Sequence, residues 1–371
     1  MQRPELSGPL KGIKVLDLTR LLPGPLGTQM MAEMGAEVWK IEDKNAPDYA
    51  RFMPPHLGKS GAIFEAVNRT KRSIVVDLKT EEGKQKFLSL LPTADIVIEG
   101  FRPGIIDKMG IGYEVAKSIK NDIIYVSVTG YGQDGPYKDK AGHDLNYVSY
   151  AGILGMNSDN PSHPSLSGVQ IADIAGGTYP MIIGALAALW ARTYTGTGQK
   201  VDISMTDCVL PLSTVTLGES INSGKPYFRG SHPLGGSIPN YNIYPCKDGK
   251  WIALGALEPK FWMGFCTAVS KPEWISKIMD ATLYEDLKQF FLSKDRAEWL
   301  SQLENLDICC SPIYDQGEVA TDIQLQHRNM FIDVPHEDLG TIKGIAQPIK
   351  FSGTPCHTVW SAPQLGEDDI A

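Results

Sequence analysis

The chain has 371 residues, of which 42% are hydrophobic and 21% charged, with a formal net charge of −8 at pH 7. That length calls for two substructures. The acidic balance excludes a nucleic-acid binder of the usual basic type, though it leaves room for a local basic patch. The six cysteines, at 208, 246, 266, 309, 310 and 356, show no C-x-x-C pair and no Cys/His zinc spacing, so they read as reduced thiols and no metal site is expected. The N-terminal residues lack a secretory apolar run, and the nearest approach to a membrane span, Met181–Ala191, falls short of the roughly 18 apolar residues required. The expectation is a cytoplasmic protein without membrane or nucleic-acid partners.

In chain order, the first half alternates strand and helix signals. Ile13–Leu18 predicts a strand, Pro25–Gly35 a helix ended by Gly35, and Glu37–Ile41 and Ser73–Leu78 further strands. Thr80–Leu91 predicts a helix with Thr80 as N-cap and Glu81 and Glu82 in its first turn. Strands at Asp95–Glu99 and Ile123–Val128 flank a short helix at Gly104–Met109. Apolar strands alternating with helices predict a parallel α/β sheet, whose ligands gather beyond the carboxyl ends of the strands. The loops after Leu18, Glu99 and Val128 are therefore the ones to watch.

Past Gly142 the character changes. Ile174–Tyr194 predicts a long helix rich in small residues, with Pro180 kinking it or marking its start, and Met205–Asn222 predicts another. Residues 223–247, rich in Gly, Pro, Ser and Asn, read as a functional loop or a boundary. A strand at Trp251–Leu254 and helical patterns from Glu258 to Tyr314 predict a smaller domain, and Phe331–Ala371 reads as an aperiodic tail wrapping other structure.

Three constellations are candidates for chemistry. His143, in Gly142-His143-Asp144, follows the glycine-rich loop after a strand, where an imidazole titrates near neutrality and moves protons; alone it equally suits a surface or cap histidine. Asp173, in an apolar setting before Gly176 and Gly177, is either an N-cap or a partly buried acid at a helix start suited to an oxyanion. Glu258, before Pro259, either precedes a helix or orients a histidine. Arg20, Arg69, Lys71, Arg72 and Arg102 flank the strands and suit phosphates, although each alone also reads as solvated charge. Neither a P-loop nor a G-x-G-x-x-G fingerprint occurs.

Taken together, "GPLKGIKVLDLTRLLPGP", "GAEVWKIE", "NRTKRSIVVDL", "GFRPG", "TGYGQDGPY", "GHDLNY", "DIAGG" and "GALEPKFW", in this order between Gly8 and Phe331, resemble the class III CoA-transferase superfamily and, within it, the α-methylacyl-CoA racemase branch. The resemblance implies an interlocked homodimer of ring-shaped subunits. Each subunit would have a Rossmann-like large domain, begun by residues 1–222, a small domain with linker loops over 223–330, and a C-terminal segment, 331–371, returning to the large domain. It further implies an acyl-CoA substrate with no cofactor beyond its CoA moiety, and CoA contacts from Arg20, Arg69, Lys71, Arg72 and Arg102.

His143 and Glu258 point to the racemase branch. There His143 and Asp173 would act as two bases across the α-carbon of a 2-methyl-branched or other α-substituted acyl-CoA, through an enolate, with Glu258 tuning His143. The alternative is a CoA-transferase in which Asp173 attacks the thioester and forms acyl-enzyme anhydrides. The stretch Gly235-Gly236 resembles the glycine loop that covers this aspartate in the transferases.

Overall fold

The structure is a computed structural model that describes residues 5–158, 160, 162–280, 282–356 and 360–369. It divides into two compact units. Unit 1 comprises Met1–Ala151, Gly168–Leu212 and Gln326–Ala371; unit 2 comprises Gly152–Ser167 and Ser213–Leu325. The large-domain segment expected over residues 1–222 is thus interrupted, since Gly152–Ser167 and Ser213–Leu325 belong to unit 2.

Unit 1 is built on a six-stranded sheet: β1 (Lys14–Leu18), β2 (Glu37–Glu42), β3 (Arg72–Val75), β4 (Ile96–Glu99), β5 (Ile124–Thr129) and β6 (Lys200–Ser204). All neighbours are parallel and the spatial order is β3-β2-β1-β4-β5-β6. The order reverses between β1 and β4, which makes the carboxyl ends of these strands the topological switch point. Every residue of β4 and β5 is buried, as expected of strands covered on both faces.

The helices begin and end on local chemistry. Helix α1 (Pro23–Glu33) has proline in its first turn, where a missing N–H costs nothing, and almost all of it is buried. Helix α2 (Glu81–Leu90) is capped by Thr80, whose hydroxyl accepts the Gly83 N–H at 3.0 Å. Helix α3 (Asp144–Tyr150) follows His143. The predicted helix over Ile174–Tyr194 is two pieces, a π-helical turn at Ala172–Thr178 and then α4 (Tyr179–Thr195), so Pro180 marks a start rather than a kink.

Ala172–Thr195 is, by length and composition alone, long and apolar enough to cross a membrane. In unit 1, Met181, Ile182, Ala185 and Ala188 of this helix are buried, while Tyr179, Ile183, Trp190 and Tyr194 form an exposed stripe on the other side. The predicted helix over Met205–Asn222 is also broken. Helix α5 (Met205–Val209) gives way to a tight turn at Leu210–Ser213, which contains Pro211. The tail read as aperiodic instead opens with an antiparallel hairpin of Phe331–His336 and Gly340–Ile345. Its alternation is masked in sequence by Pro335, Gly340 and Gly344.

Unit 2 has a three-stranded antiparallel sheet, with Trp251–Gly255 between Tyr241–Pro245 and Cys310–Ile313. Its core is aromatic: Tyr244, Trp262, Phe265, Phe291 and Trp299 are all buried. Trp299 donates its indole N–H to the Phe291 carbonyl at 2.8 Å, so the ring is buried without an orphaned donor.

Candidate active site

The loops after β1, β4 and β5 enclose a cavity of about 650 Å³ in unit 1. Its walls include Arg20, Arg102, Lys138, Lys140, His143 and Asp173. The sheet topology therefore brings together two titratable groups and four cations from segments far apart in sequence. All six lie where a doubly wound sheet binds ligands.

Asp173 sits in the second position of the π-helical turn and is partly buried. Burial, then the neighbouring Asp144 carboxylate, push its carboxyl up to about 6, against a smaller opposing pull from His143. The backbone N–H of Asp173 donates to Asp144 Oδ1 at 2.9 Å, and the Ile174 N–H donates to the Gln170 carbonyl at 3.2 Å. These N–H groups are engaged within the protein. Asp173 thus stands in the first turn of the helical segment, one of the two places the sequence suggested, with its own N–H and that of Ile174 already engaged. A turn with π geometry is a frequent companion of functional side chains, because it lets one residue bulge out of the regular ladder.

Gly176 explains why the turn sits where it does. A Cβ there would lie 2.5 Å from the Met205 carbonyl oxygen of α5, so only glycine allows this approach. Thr178, fully buried, donates its hydroxyl to the Pro23 carbonyl at 2.8 Å and ties the turn to the start of α1. The close approach that the sequence suggested for another group at these glycines is made by the protein itself.

His143 is the exposed N-cap residue of α3, and its backbone N–H donates to Asn146 Oδ1 at 3.0 Å. Behind it Tyr147 is buried and donates to the Gly142 carbonyl at 2.6 Å; burial, then Asp173, raise its phenol to about 12. A side chain at Gly142 would collide with that ring at 2.7 Å. Tyr131 packs edge-on against it, Tyr137 and Tyr150 pack on Tyr131 and on each other, and Lys140 lies 3.6 Å over the Tyr137 ring while bonding the Tyr150 hydroxyl at 3.2 Å. Sequence reasoning did not single out Tyr147, Asp144, Lys138 or Lys140. The only available signal was their position in the loop that carries His143.

The five basic candidates separate. Arg20 and Arg102 are exposed and line the cavity with His143 and Asp173. Arg69 is buried against Glu33, with its Nη2 atom 3.0 Å from Glu33 Oε1 and 2.8 Å from the Ile345 carbonyl. Lys71 is fully buried on Asp17 at 3.1 Å and on the Pro25 carbonyl at 2.8 Å. Arg72 opens β3 at the amino end of the sheet, opposite the cavity, and pairs with Glu37 and Asp368. The expectation that all five face one ligand is corrected for these three, since their positive charges are answered inside the fold.

Glu258 and the Gly235-Gly236 stretch belong to unit 2. Glu258 is exposed, and its carbonyl starts the helix Pro259–Ala268 by accepting the Trp262 N–H at 3.1 Å. Gly236 has φ +95°, its carbonyl accepts the Asn242 side-chain amide at 2.6 Å, and it lines a separate unit-2 cavity with Leu234, Tyr241 and Trp251. Among the described residues, no group of three His, Cys, Asp or Glu side chains is arranged to hold a metal ion.

A carboxylate with a raised pKa, in a cavity at the switch point of a doubly wound sheet that four cations also line, has the character of an enzyme site for an anionic substrate. The chain belongs to CoA-transferase family III, whose family model matches residues 10–369.

Curated relatives include the succinate–glutarate CoA-transferase of Agrobacterium fabrum, 34% identical over 98% of this chain and 94% of that protein. The succinyl-CoA–D-citramalate CoA-transferase of Chloroflexus aurantiacus is 32% identical over 99% and 93%. The formyl-CoA:oxalate CoA-transferase of Shigella sonnei is 32% identical over 99% and 95%. Among solved structures, a CAIB/BAIF family protein from Brucella suis superposes with a TM-score of 0.86 at 30% identity, covering 97% of both chains. Rv3272 from Mycobacterium tuberculosis superposes with a TM-score of 0.83 at 27% identity, covering 98% of both. The chain is therefore an enzyme of acyl-CoA chemistry in this superfamily, and the named relatives are transferases. They favour the reading that the sequence analysis held second, and none of them carries the racemase assignment.

Proposed function

We propose that the protein is a CoA-transferase that moves CoA from an acyl-CoA to a free carboxylic acid through Asp173. The carboxylate of Asp173 attacks the thioester carbonyl, the C–S bond breaks, and CoA leaves as its thiolate, leaving an acyl-aspartyl anhydride. The thiolate then attacks the aspartyl carbonyl, releasing the donor acid and forming an aspartyl-CoA thioester. The acceptor carboxylate repeats the two steps in reverse order and leaves with CoA. No proton has to be taken from carbon, and the chemistry needs one carboxylate that is ionised at neutral pH. The observation that carries this reading is the Asp173 carboxyl, set in the strand-end cavity with a pKa of about 6, in a chain whose named relatives transfer CoA.

Arg20, Arg102, Lys138 and Lys140 are the groups that meet the CoA phosphates, with arginine as a bidentate partner and lysine as a point charge. Asp144 holds the peptide of Asp173 in place. Because the relatives' names include succinate, glutarate, citramalate and oxalate, the acceptor is a small dicarboxylic acid. A homodimer is part of the proposal, with the exposed stripe of Ile183, Trp190 and Tyr194 covered by a second copy of the chain.

One observation favours a second reading, two-base racemisation: His143 lines the same cavity and its charge is felt by Asp173. Supplying succinyl-CoA with glutarate, citramalate or oxalate and following new CoA thioesters by chromatography tests the first reading. Supplying a 2-methylacyl-CoA in D2O without an acceptor tests the second. New thioesters without α-deuterium support transfer. α-Deuterium without any new thioester overturns it.

A further inference from the structure

Four buried charges lie under the loop that carries Arg20. Lys40 and Asp48 form one ion pair at 3.0 Å, Lys71 and Asp17 a second at 3.1 Å, and all four side chains are fully buried. Buried pairs of this kind are poor sources of stability, because desolvation offsets much of their attraction. What they hold is more informative.

Lys71 and Asp17 bond the end of β1 and the start of α1. Lys71 Nζ reaches the Pro25 carbonyl at 2.8 Å, and Asp17 accepts the Thr19 N–H at 2.9 Å. Lys40 and Asp48 do something different. Lys40 Nζ donates to the Thr19 carbonyl at 3.0 Å, and Asp48 accepts the Leu21 N–H, with both carboxylate oxygens at 3.2 Å. Those groups belong to the two peptide units on either side of the Arg20 Cα. Arg20 itself is exposed and lines the cavity. Leu21, next in the chain, has φ +65°, a conformation that a leucine keeps only where its surroundings over-determine it. Released from Asp48, this link has reason to relax and carry Arg20 with it.

We infer that Lys40 and Asp48 are positioning residues for Arg20, fixing both flanking peptides so that its guanidinium enters the strand-end cavity in one direction. The inference rests on the reading of Arg20 as a CoA contact. Asp48 is in turn oriented by Glu42, which accepts the Asp48 N–H at 3.0 Å and pairs with Arg51. The anchor therefore runs from the end of β2 to the ligand-facing loop.

The test is a double-mutant cycle on the full-length protein between Arg20→Ala and the charge-neutral pair Lys40→Met with Asp48→Asn, read as KM for the acyl-CoA and kcat separately. The pair alone should raise KM about tenfold and leave kcat within about twofold, as loss of ground-state binding does. In the Arg20→Ala background it should raise KM by less than about twofold, because the group it positions is gone. A full tenfold rise in that background, or a fall in kcat at constant KM, overturns the inference while leaving Arg20 as a CoA contact. An unchanged KM for Arg20→Ala alone removes the contact and the inference with it. Should circular dichroism show the paired variant unfolded, Asp48→Asn alone, which keeps the side-chain volume but weakens the hold on the Leu21 N–H, replaces it under the same criterion.

Discussion

Asp144 Oδ1 accepts the backbone N–H of Asp173 at 2.9 Å, so the segment that presents His143 also holds the peptide of Asp173. The contact has two consequences at once. It fixes the Asp173 backbone, and it sets a second carboxylate close enough to disfavour ionisation of the first. Asp144 therefore contributes to both the position and, after burial, the basicity of Asp173, and a substitution that keeps the hydrogen bond but removes the charge separates the two.

Asp144→Asn is that substitution. In the proposed mechanism Asp173 reacts as the carboxylate, so kcat/KM for transfer should fall as pH drops through about 6, the value to which burial and Asp144 raise it. With the like charge gone, the acid limb should move down by about one pH unit. A pH–rate profile with its limb unmoved would show that Asp144 acts only as a tether.

Asp173→Asn should abolish transfer, by a factor on the order of a thousand or more, and should also stabilise the fold at neutral pH. The sign follows from the shift. The folded-state pKa of about 6 lies above the ordinary 3.8, so the stability associated with the protonated carboxyl is complete below pH 4 and lost as pH rises through 6. Discounted for partial solvation, relief of that cost amounts to about 1–2 kcal/mol at pH 7.5. Thermal melts should show a Tm gain of a few degrees at pH 7.5 that vanishes near pH 4. An equal gain at both pH values would point to packing instead.

Gly176→Ala introduces a Cβ 2.5 Å from the Met205 carbonyl oxygen, a backbone atom, and 3.2 Å from Val209 Cβ. It should cost about 1–3 kcal/mol by denaturant unfolding and displace Asp173, lowering kcat more than it raises KM. Wild-type stability and kcat would show that α5 yields without strain.

Arg102→Ala and Lys140→Ala should each raise KM for acyl-CoA by about five- to fiftyfold with smaller effects on kcat, as expected for phosphate contacts remote from the thioester. Lys71→Met should instead destabilise the fold, by about 3 kcal/mol or more, because it strands Asp17 without its partner. Equal KM effects for the three, measured on folded protein, would return Lys71 to the ligand.

Much of unit 1 was legible. The β-branched strands, the Thr80 cap and the alternation with helices all announced themselves locally, and these are what fix the parallel sheet and its active end. Asp173, His143, Arg20 and Arg102 stood out only once the ordered motifs of the family resemblance were taken together, and all four line the one cavity. Lys71 and Arg69 were misread for a physical reason: burial is decided by which carboxylate lies opposite, and Asp17 and Glu33 are 54 and 36 residues away from their partners in sequence. Asp144 escaped for the same reason, since its contact to Asp173, 29 residues away in sequence, exists only once α3 meets the π-helical turn. The break at Pro180 was legible, but the π geometry before it was not. It depends on how closely Gly176 meets Met205, a tertiary contact that no local periodicity encodes.

The central claim is that Asp173 becomes covalently acylated during turnover. Incubation with an acyl-CoA and hydroxylamine, followed by peptide mass analysis, tests it directly. Hydroxylamine cleaves an aspartyl anhydride or aspartyl-CoA thioester to a hydroxamate, so the peptide containing Asp173 should carry that modification only when the acyl-CoA is present, with matching loss of activity. An unmodified Asp173 in enzyme that is turning over, together with α-deuterium entering the acyl group in D2O, would contradict the account and return the site to two-base proton transfer.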